Sequence, residues 1–259
     1  MHRRLGVPLI ALTLLGSVSW MRLHADGQAA GLQDAGRPET RLIVIDPGHG
    51  GDDAGSVSAA GLAEKDITLA VASRLRAALE KQPGLAAVLT RTGDQRMPLR
   101  DRTTLANTRN ASVFLSLHVN ASAGDALRGA EFSVLTADDA GGVALEPSGT
   151  PVPTIGGGTR VLTLVPWERA ALRHRNESVR LARMLAATFE SAGQLSPRGI
   201  QSAPLAVLVG TGMPAVMADL GYLTSPEEAA RLGSPEGQDA LAGLLRDAVL
   251  QFLAEAPAP

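Results

Sequence analysis

A histidine on a glycine-rich turn can aim its ring at a ligand, because glycines beside it let the backbone take conformations other residues avoid. Asp46-Pro47-Gly48-His49-Gly50-Gly51 is such a turn, placed directly after the apolar run Arg41 to Ile45 and before Asp52 and Asp53. Alone, a histidine in a turn is more often structural than reactive. Glu64, in Gly61-Leu62-Ala63-Glu64-Lys65, stands where a helix begins past that loop, a position where the helix dipole favours any acid. His118, in Ser116-Leu117-His118-Val119-Asn120, closes an otherwise apolar strand pattern. It is either a satisfied core residue or a side chain projecting from a strand tip.

The three types together match the His, His, Glu set of a catalytic zinc, which leaves a fourth position for water. A closed structural zinc site normally uses Cys, and this chain has none. The three residues lie 15 and 54 positions apart, so they are not the helical His-Glu-x-x-His arrangement. Two strand ends and a helix start must be brought together by the fold. Asp219, in Met217-Ala218-Asp219-Leu220-Gly221-Tyr222, also ends an apolar run. It either accepts local backbone hydrogen bonds or acts as general base in metal-assisted hydrolysis.

The elements needed to position these residues can be read from periodicity. Arg41 to Ile45 is a continuous β-branched run and predicts a buried strand. Ile67, Ala70, Val71, Leu75, Ala78 and Leu79 recur at helical spacing, and Pro83-Gly84 stops that helix before a second strand over Ala86 to Thr90. Pro98 opens a helix through about Asn107, Val113 to Val119 is a third strand, and Ala130 to Leu135 a fourth. Residues 137–160 hold nine Gly or Pro in 24 positions without periodicity, which predicts an irregular insertion or hairpin, serving as a lid or as plain surface loop. A long helix follows, with Ser178, Leu181, Ala182, Leu185, Phe189 and Ala192 on one face and Arg169, Arg173, Arg180 and Arg183 on a solvated one. Ala206 to Val209 and Ala215 to Leu220 look like strands. Ser225, Pro226 and Glu228 supply an N-cap, a first-turn proline and a capping-box acid for a short helix. The last helix carries Leu241, Leu244, Leu245, Ala248, Val249 and Phe252 on one stripe. Strands alternating with helices imply an α/β domain with a mostly parallel twisted sheet and helices on both faces, and such sheets place their sites at the strands' carboxyl ends.

Composition narrows the partners. The 259 residues carry a formal charge of −2, with 22 Arg against two Lys, so no global field would hold nucleic acid. Seven aromatic residues argue against a dedicated sugar-stacking module. Residues 1–30 place Arg3 and Arg4 before an apolar run from Leu5 to about Trp20, the shape of a signal peptide or N-terminal anchor, and residues 31–40 read as a linker. Export to the periplasm or cell envelope is expected, with the catalytic domain spanning 41–256.

Several segments resemble, in order, the motifs of the zinc-dependent N-acetylmuramoyl-L-alanine amidases, bacterial cell-wall hydrolases. They are IVIDPGHGGDDAG, GLAEKDITL, VLTRTGD with LRDRTTLAN, FLSLHVNAS, GAEFSVL and MPAVMADLGYLTSPEEAARL. The resemblance implies that His49, Glu64 and His118 hold zinc, that the substrate is peptidoglycan, and that the bond cut joins N-acetylmuramic acid to L-alanine. It implies that Asp219 serves as the catalytic base where the family usually carries Glu, and it sets Ser225 where an Asn is common. A monomer is expected; a protein activator is not identified. Glu131, Glu227 and Glu228 are nearby carboxylates that could stand in for Asp219 as the base. Two rival readings are a zinc enzyme for another cell-wall amide and a zinc-bearing binding or regulatory protein of weakened activity, suggested by Asp219 and Ser225.

Overall fold

The computed structural model describes residues 40–123, 127–136, 149–153, 159–163 and 167–255. The expected leader at 1–30 and nearly all of the linker lie outside these residues. Among the described residues eight strands and five helices follow in this order: β1 (Arg41–Pro47), α1 (Glu64–Leu79), β2 (Leu85–Leu89), α2 (Leu99–Thr108), β3 (Val113–Asn120), β4 (Ala130–Leu135), β5 (Gly149–Pro153), β6 (Thr159–Thr163), α3 (Arg175–Ser191), β7 (Leu195–Ala203), β8 (Ala215–Tyr222), α4 (Pro226–Gly233) and α5 (Pro235–Glu255). Six strands make one sheet in the order β2-β1-β3-β8-β4-β7, and β5 and β6 pair as a separate antiparallel hairpin. The first four strands of that order run parallel, β4 and β7 run parallel to each other, and the β4–β8 seam is antiparallel.

Strand periodicity divides the core. Ile43 and Ile45 of β1 and Val113, Leu115 and Leu117 of β3 point to one face. There they are covered by Ile67, Val71 and Leu75 of α1, Leu181, Leu185 and Phe189 of α3, and Leu241, Leu245 and Val249 of α5. Val44 and Phe114 point to the other face, where Ala106 of α2, Val207, Leu208 and Ala215 complete a smaller cluster. The expected mostly parallel sheet with helices on both faces is the one observed. Among the described helices none is long and apolar enough to cross a membrane.

Two local expectations change and one strand is unforeseen. Ala206–Leu208 is a 3-10 turn, not a strand; between Pro204 and Gly210 the run is too short to pair, and it buries Val207 and Leu208 against the α2 face instead. The polar segment Leu195–Ala203 is a strand although it contains Pro197 and Gly199, because β7 is an edge strand pairing only with β4, where a missing donor is tolerated. The long helix begins at Arg175, after a 3-10 stretch Trp167–His174 that takes Arg169 and Arg173 off its face. Of the remaining stripe, Arg180 is not simply solvated: its guanidinium carbon lies 4.1 Å from the Phe252 ring centroid and Nη1 donates to Phe252 O at 3.3 Å. At the 137–160 insertion the described part is the β5–β6 hairpin, and residues 137–148 and 154–158 lie outside the described residues.

Phe189 sits fully buried, edge-on to Phe132 with ring centroids 5.1 Å apart. Phe189→Ala removes that pair and leaves a cavity between α3 and β4, so urea denaturation should show a loss of about 3–5 kcal/mol.

Candidate metal centre

The β1–β3 register puts Asp46 opposite Ser116 and Pro47 opposite Leu117, so the turn after β1 emerges beside the tip of β3. In that turn His49 has φ 60°, a left-handed conformation that a residue with a side chain seldom adopts. Two turn hydrogen bonds fix it, Gly50 N to Asp53 O at 2.9 Å and Asp53 N to Gly50 O at 3.3 Å. The chain then loops over the start of α1, whose Ala63 N-cap offers no side chain. The loop carbonyls of Ser56 and Ala54 accept instead from Glu64 N at 2.8 Å and Lys65 N at 3.2 Å. Glu64 is thereby delivered to the rim of the sheet.

Its carboxylate meets both histidines. Glu64 Oε1 lies 3.0 Å from His49 Nε2 and 2.9 Å from His118 Nδ1, and accepts from Val119 N at 3.0 Å. Oε2 accepts from Ser56 N at 2.8 Å. One donor atom from each of the three residues falls within 4.8 Å of the others, the one such grouping among the described residues. Ligand atoms around a tetrahedral ion at about 2.0–2.2 Å are roughly 3.3–3.5 Å apart, so a small expansion admits a metal. Asp53 Oδ2 stands 2.9 Å from His49 Nδ1, on the side of the ring away from Glu64, where a second carboxylate fixes tautomer and orientation.

The space is kept open by missing Cβ atoms. One added at Gly48 would fall 2.4 Å from His118 Cε1; one at Gly55, where φ is +65°, would fall 2.5 Å from Glu64 Oε2 and 2.6 Å from His49 Cδ2. Sequence reading singled out the glycines around His49 but not Gly55, whose signal is its place between that turn and Glu64.

Burial by itself would raise the Glu64 carboxyl, but the hydrogen bonds to His118 and His49 outweigh it and hold the group well below its ordinary range. The Glu64 hydrogen bond correspondingly raises His49. A stable anion between two imidazoles is suited to a cation. Asp219 differs: it is Cα partner to His118 on one side and Glu131 on the other. With 9% of its surface exposed, burial pushes its carboxyl up to about 6.

The other carboxylates are occupied. Glu131 Oε1 accepts from Ser196 Oγ at 3.0 Å and from the Tyr222 hydroxyl, which burial and this bond push up to about 12. Glu227 pairs with Arg128 at the surface. Glu228 Oε2 accepts from Tyr222 N at 2.8 Å and Gly129 N at 3.1 Å. Ser225 is the α4 N-cap, accepting from Glu228 N, but Ser225 N donates to Tyr222 O, so the expected capping box forms only by half.

The N-acetylmuramoyl-L-alanine amidase family profile matches residues 43–251, which takes in all of the six-stranded sheet but the first two residues of β1 and every residue of the centre. The chain belongs to this family. The N-acetylmuramoyl-L-alanine amidase AmiA of Salmonella typhimurium is 28% identical over 220 residues, covering 82% of this chain and 76% of AmiA. The catalytic domain of CwlV, an N-acetylmuramoyl-L-alanine amidase from Bacillus (Paenibacillus) polymyxa var. colistinus, matches at 28% identity and TM-score 0.65, covering 83% of this chain and 99% of that domain. An N-acetylmuramoyl-L-alanine amidase from Clostridium difficile 630 matches at 28% identity and TM-score 0.66, covering 85% and 100%. The amidase fold is thus shared along nearly the full length of those structures.

Two outcomes test the centre in this amidase. Gly55→Ala drives a methyl into Glu64 and His49, so divalent metal retained after dialysis should fall at least tenfold, measured by elemental analysis. In metal-free protein, a carboxyl held at about 6 in the fold but near 3.8 when unfolded costs stability as pH rises between those values. Asp219→Asn should therefore raise the stability of the metal-free protein above pH 6 by about 3 kcal/mol, and leave it unchanged below about pH 4; urea titrations at both pH values check this.

Proposed function

We propose that the protein is an exported zinc-dependent hydrolase that cuts the amide between the lactyl group of N-acetylmuramic acid and L-alanine in peptidoglycan. The observation that carries the reading is the convergence of His49, Glu64 and His118 within a member of this family. Two imidazoles and one carboxylate without thiolate suit zinc, with a coordination position left over for chemistry. His49, Glu64 and His118 would hold the ion. When bound, zinc supplies a Lewis acid that polarises a carbonyl and acidifies water toward neutral pH.

The chain's own residues do the rest. Asp53 keeps the His49 ring aimed, and the Ser56 and Val119 amides keep the Glu64 carboxylate in place. Asp219 is the proton carrier: burial raises its carboxyl above the usual carboxylate range in the metal-free protein, which suits a group that takes a proton from water at a side-chain oxygen. It then returns that proton to the departing amine of L-alanine. The Arg-flanked apolar start of the chain supports delivery to the envelope, where the substrate lies.

Incubating purified peptidoglycan with the zinc-loaded protein should release free stem peptides and leave unsubstituted glycan, seen by mass spectrometry of the products. Release of other fragments would redirect the reading to a different cell-wall amide, and no release from a metal-loaded protein would favour a binding role. Asp219→Asn should lower turnover by about 10²–10⁴-fold with zinc retained, while Asp219→Glu should keep or raise it.

A further inference from the structure

The three ligand-bearing segments meet directly, Gly48 N donating to Leu117 O at 2.9 Å and Val119 N to Glu64 Oε1 at 3.0 Å, and two arginines brace them further. Arg91, just past β2, and Arg102, in α2, are 1% and 3% exposed. Arg91 donates through Nε to Pro47 O at 3.0 Å and through Nη2 to Gly48 O at 2.8 Å, and so grips the chain immediately before His49. The same Nη2 reaches Lys65 O at 2.8 Å, one residue past Glu64, and Thr68 Oγ1 at 3.2 Å, while Nη1 donates to Gly93 O at 3.0 Å. Thr68 Oγ1 in turn donates to Gly48 O at 3.1 Å. One guanidinium thus spans the His49 turn and the first turn of the Glu64 helix.

Arg102 completes the frame. Its Nη2 donates to His49 O at 2.8 Å, the carbonyl of the left-handed residue itself, and Nη1 donates to Pro47 O at 2.8 Å. Nη1 also pairs with fully buried Asp46 at 2.7 Å, and Nε donates to Met97 O at 3.0 Å. Asp46 Oδ2 accepts from Ser116 Oγ at 2.8 Å, two residues before His118, and Oδ1 accepts from Thr90 Oγ1 at 2.5 Å, the residue before Arg91. Arg91 thus joins the His49 and Glu64 segments directly, and Arg102 joins the His49 turn to the His118 strand at one remove, through Asp46 and Ser116.

We infer that Arg91 and Arg102 are positioning residues that preset the separation and orientation of His49, Glu64 and His118 before any metal is bound. The inference rests on the metal-centre reading. Its physical basis is the planar fork of guanidinium, whose donors leave at fixed angles and so fix the relative places of several carbonyls. A lysine ammonium keeps the charge but radiates its donors from one point, and cannot span Pro47, Gly48, Lys65 and Gly93 together. A preset site binds metal tightly because little ordering is left to be done on binding.

The test uses the full chain with Arg91→Lys, Arg102→Lys and the milder Thr68→Val, which deletes the hydroxyl between Gly48 and Arg91 at nearly constant volume. Zinc affinity is measured by competition with a chelating dye, next to the melting temperature of each metal-free protein. Folded Arg→Lys variants should bind zinc about 10–100-fold more weakly, and Thr68→Val several-fold more weakly. If the Arg variants do not fold, Thr68→Val decides. Lowered melting temperatures with zinc affinity unchanged would assign these residues to stability alone and overturn the inference. His49→Ala runs alongside: wild type without zinc binding overturns the metal-centre reading and this inference with it, whereas loss in His49→Ala beside full retention in the Arg and Thr68 variants overturns the inference alone.

Discussion

Glu64 Oε1 accepts from the Val119 amide while lying 3.0 Å and 2.9 Å from two imidazole nitrogens, so a turn, a helix start and a strand tip all meet at one carboxylate oxygen. A charge with 3% of its residue surface exposed is tolerable only with such partners, since an unpaired buried carboxylate would take up a proton instead. The demand runs outward. It requires parallel β1 and β3 in one register, a left-handed residue after β1, glycine where Cβ atoms would collide with the rings, and a helix whose first amides are satisfied by a loop. The turn, the glycines and the helix start are local, whereas the β1–β3 pairing joins segments far apart in sequence.

The site also shows a tension between stability and chemistry. Asp219 is buried at the same end of the sheet without the hydrogen bonds that steady Glu64, and its raised carboxyl makes it a source of instability in the ionised form. A carboxylate that gripped strong donors would be a poor proton acceptor near neutral pH. Glu131, one strand over, has the opposite arrangement: Ser196 and Tyr222 saturate its Oε1, and it braces the β4 edge. Two acids directly opposite each other in the sheet thus have different environments.

Much of this was legible in the sequence, and what was legible followed from periodicity. The strands β1, β3, β4 and β8 are apolar runs that any fully buried strand needs, and α1, α4 and α5 carry stripes or caps that identify them. His49, Glu64 and His118 could be matched by type to a metal set, yet their meeting depends on long-range register that no local pattern contains. β7 escaped notice because an edge strand needs no apolar run, and Ala206–Leu208 misled because a four-residue apolar run fits a buried turn as well as a strand. The arginines were least visible. Arg91 and Arg102 look like surface residues by type, and only their burial against carbonyl groups shows otherwise.

The reversed direction of β4 has a further effect. Because β4 runs against β8, Glu131 lies at the edge with Asp219, and Leu135 ends at the opposite edge, near Ala215. Ala171 returns the chain to that same small cluster, and Ser178 Oγ there accepts from Ala215 N. The connection from β4 to α3 therefore leaves and rejoins the domain at the floor of the sheet, about four strand residues or roughly 13 Å from the level of Asp219. Its attachment points are uncoupled from the chemistry. A reporter or an affinity module joined at these two ends would meet the domain through this floor packing and not through the ligand residues.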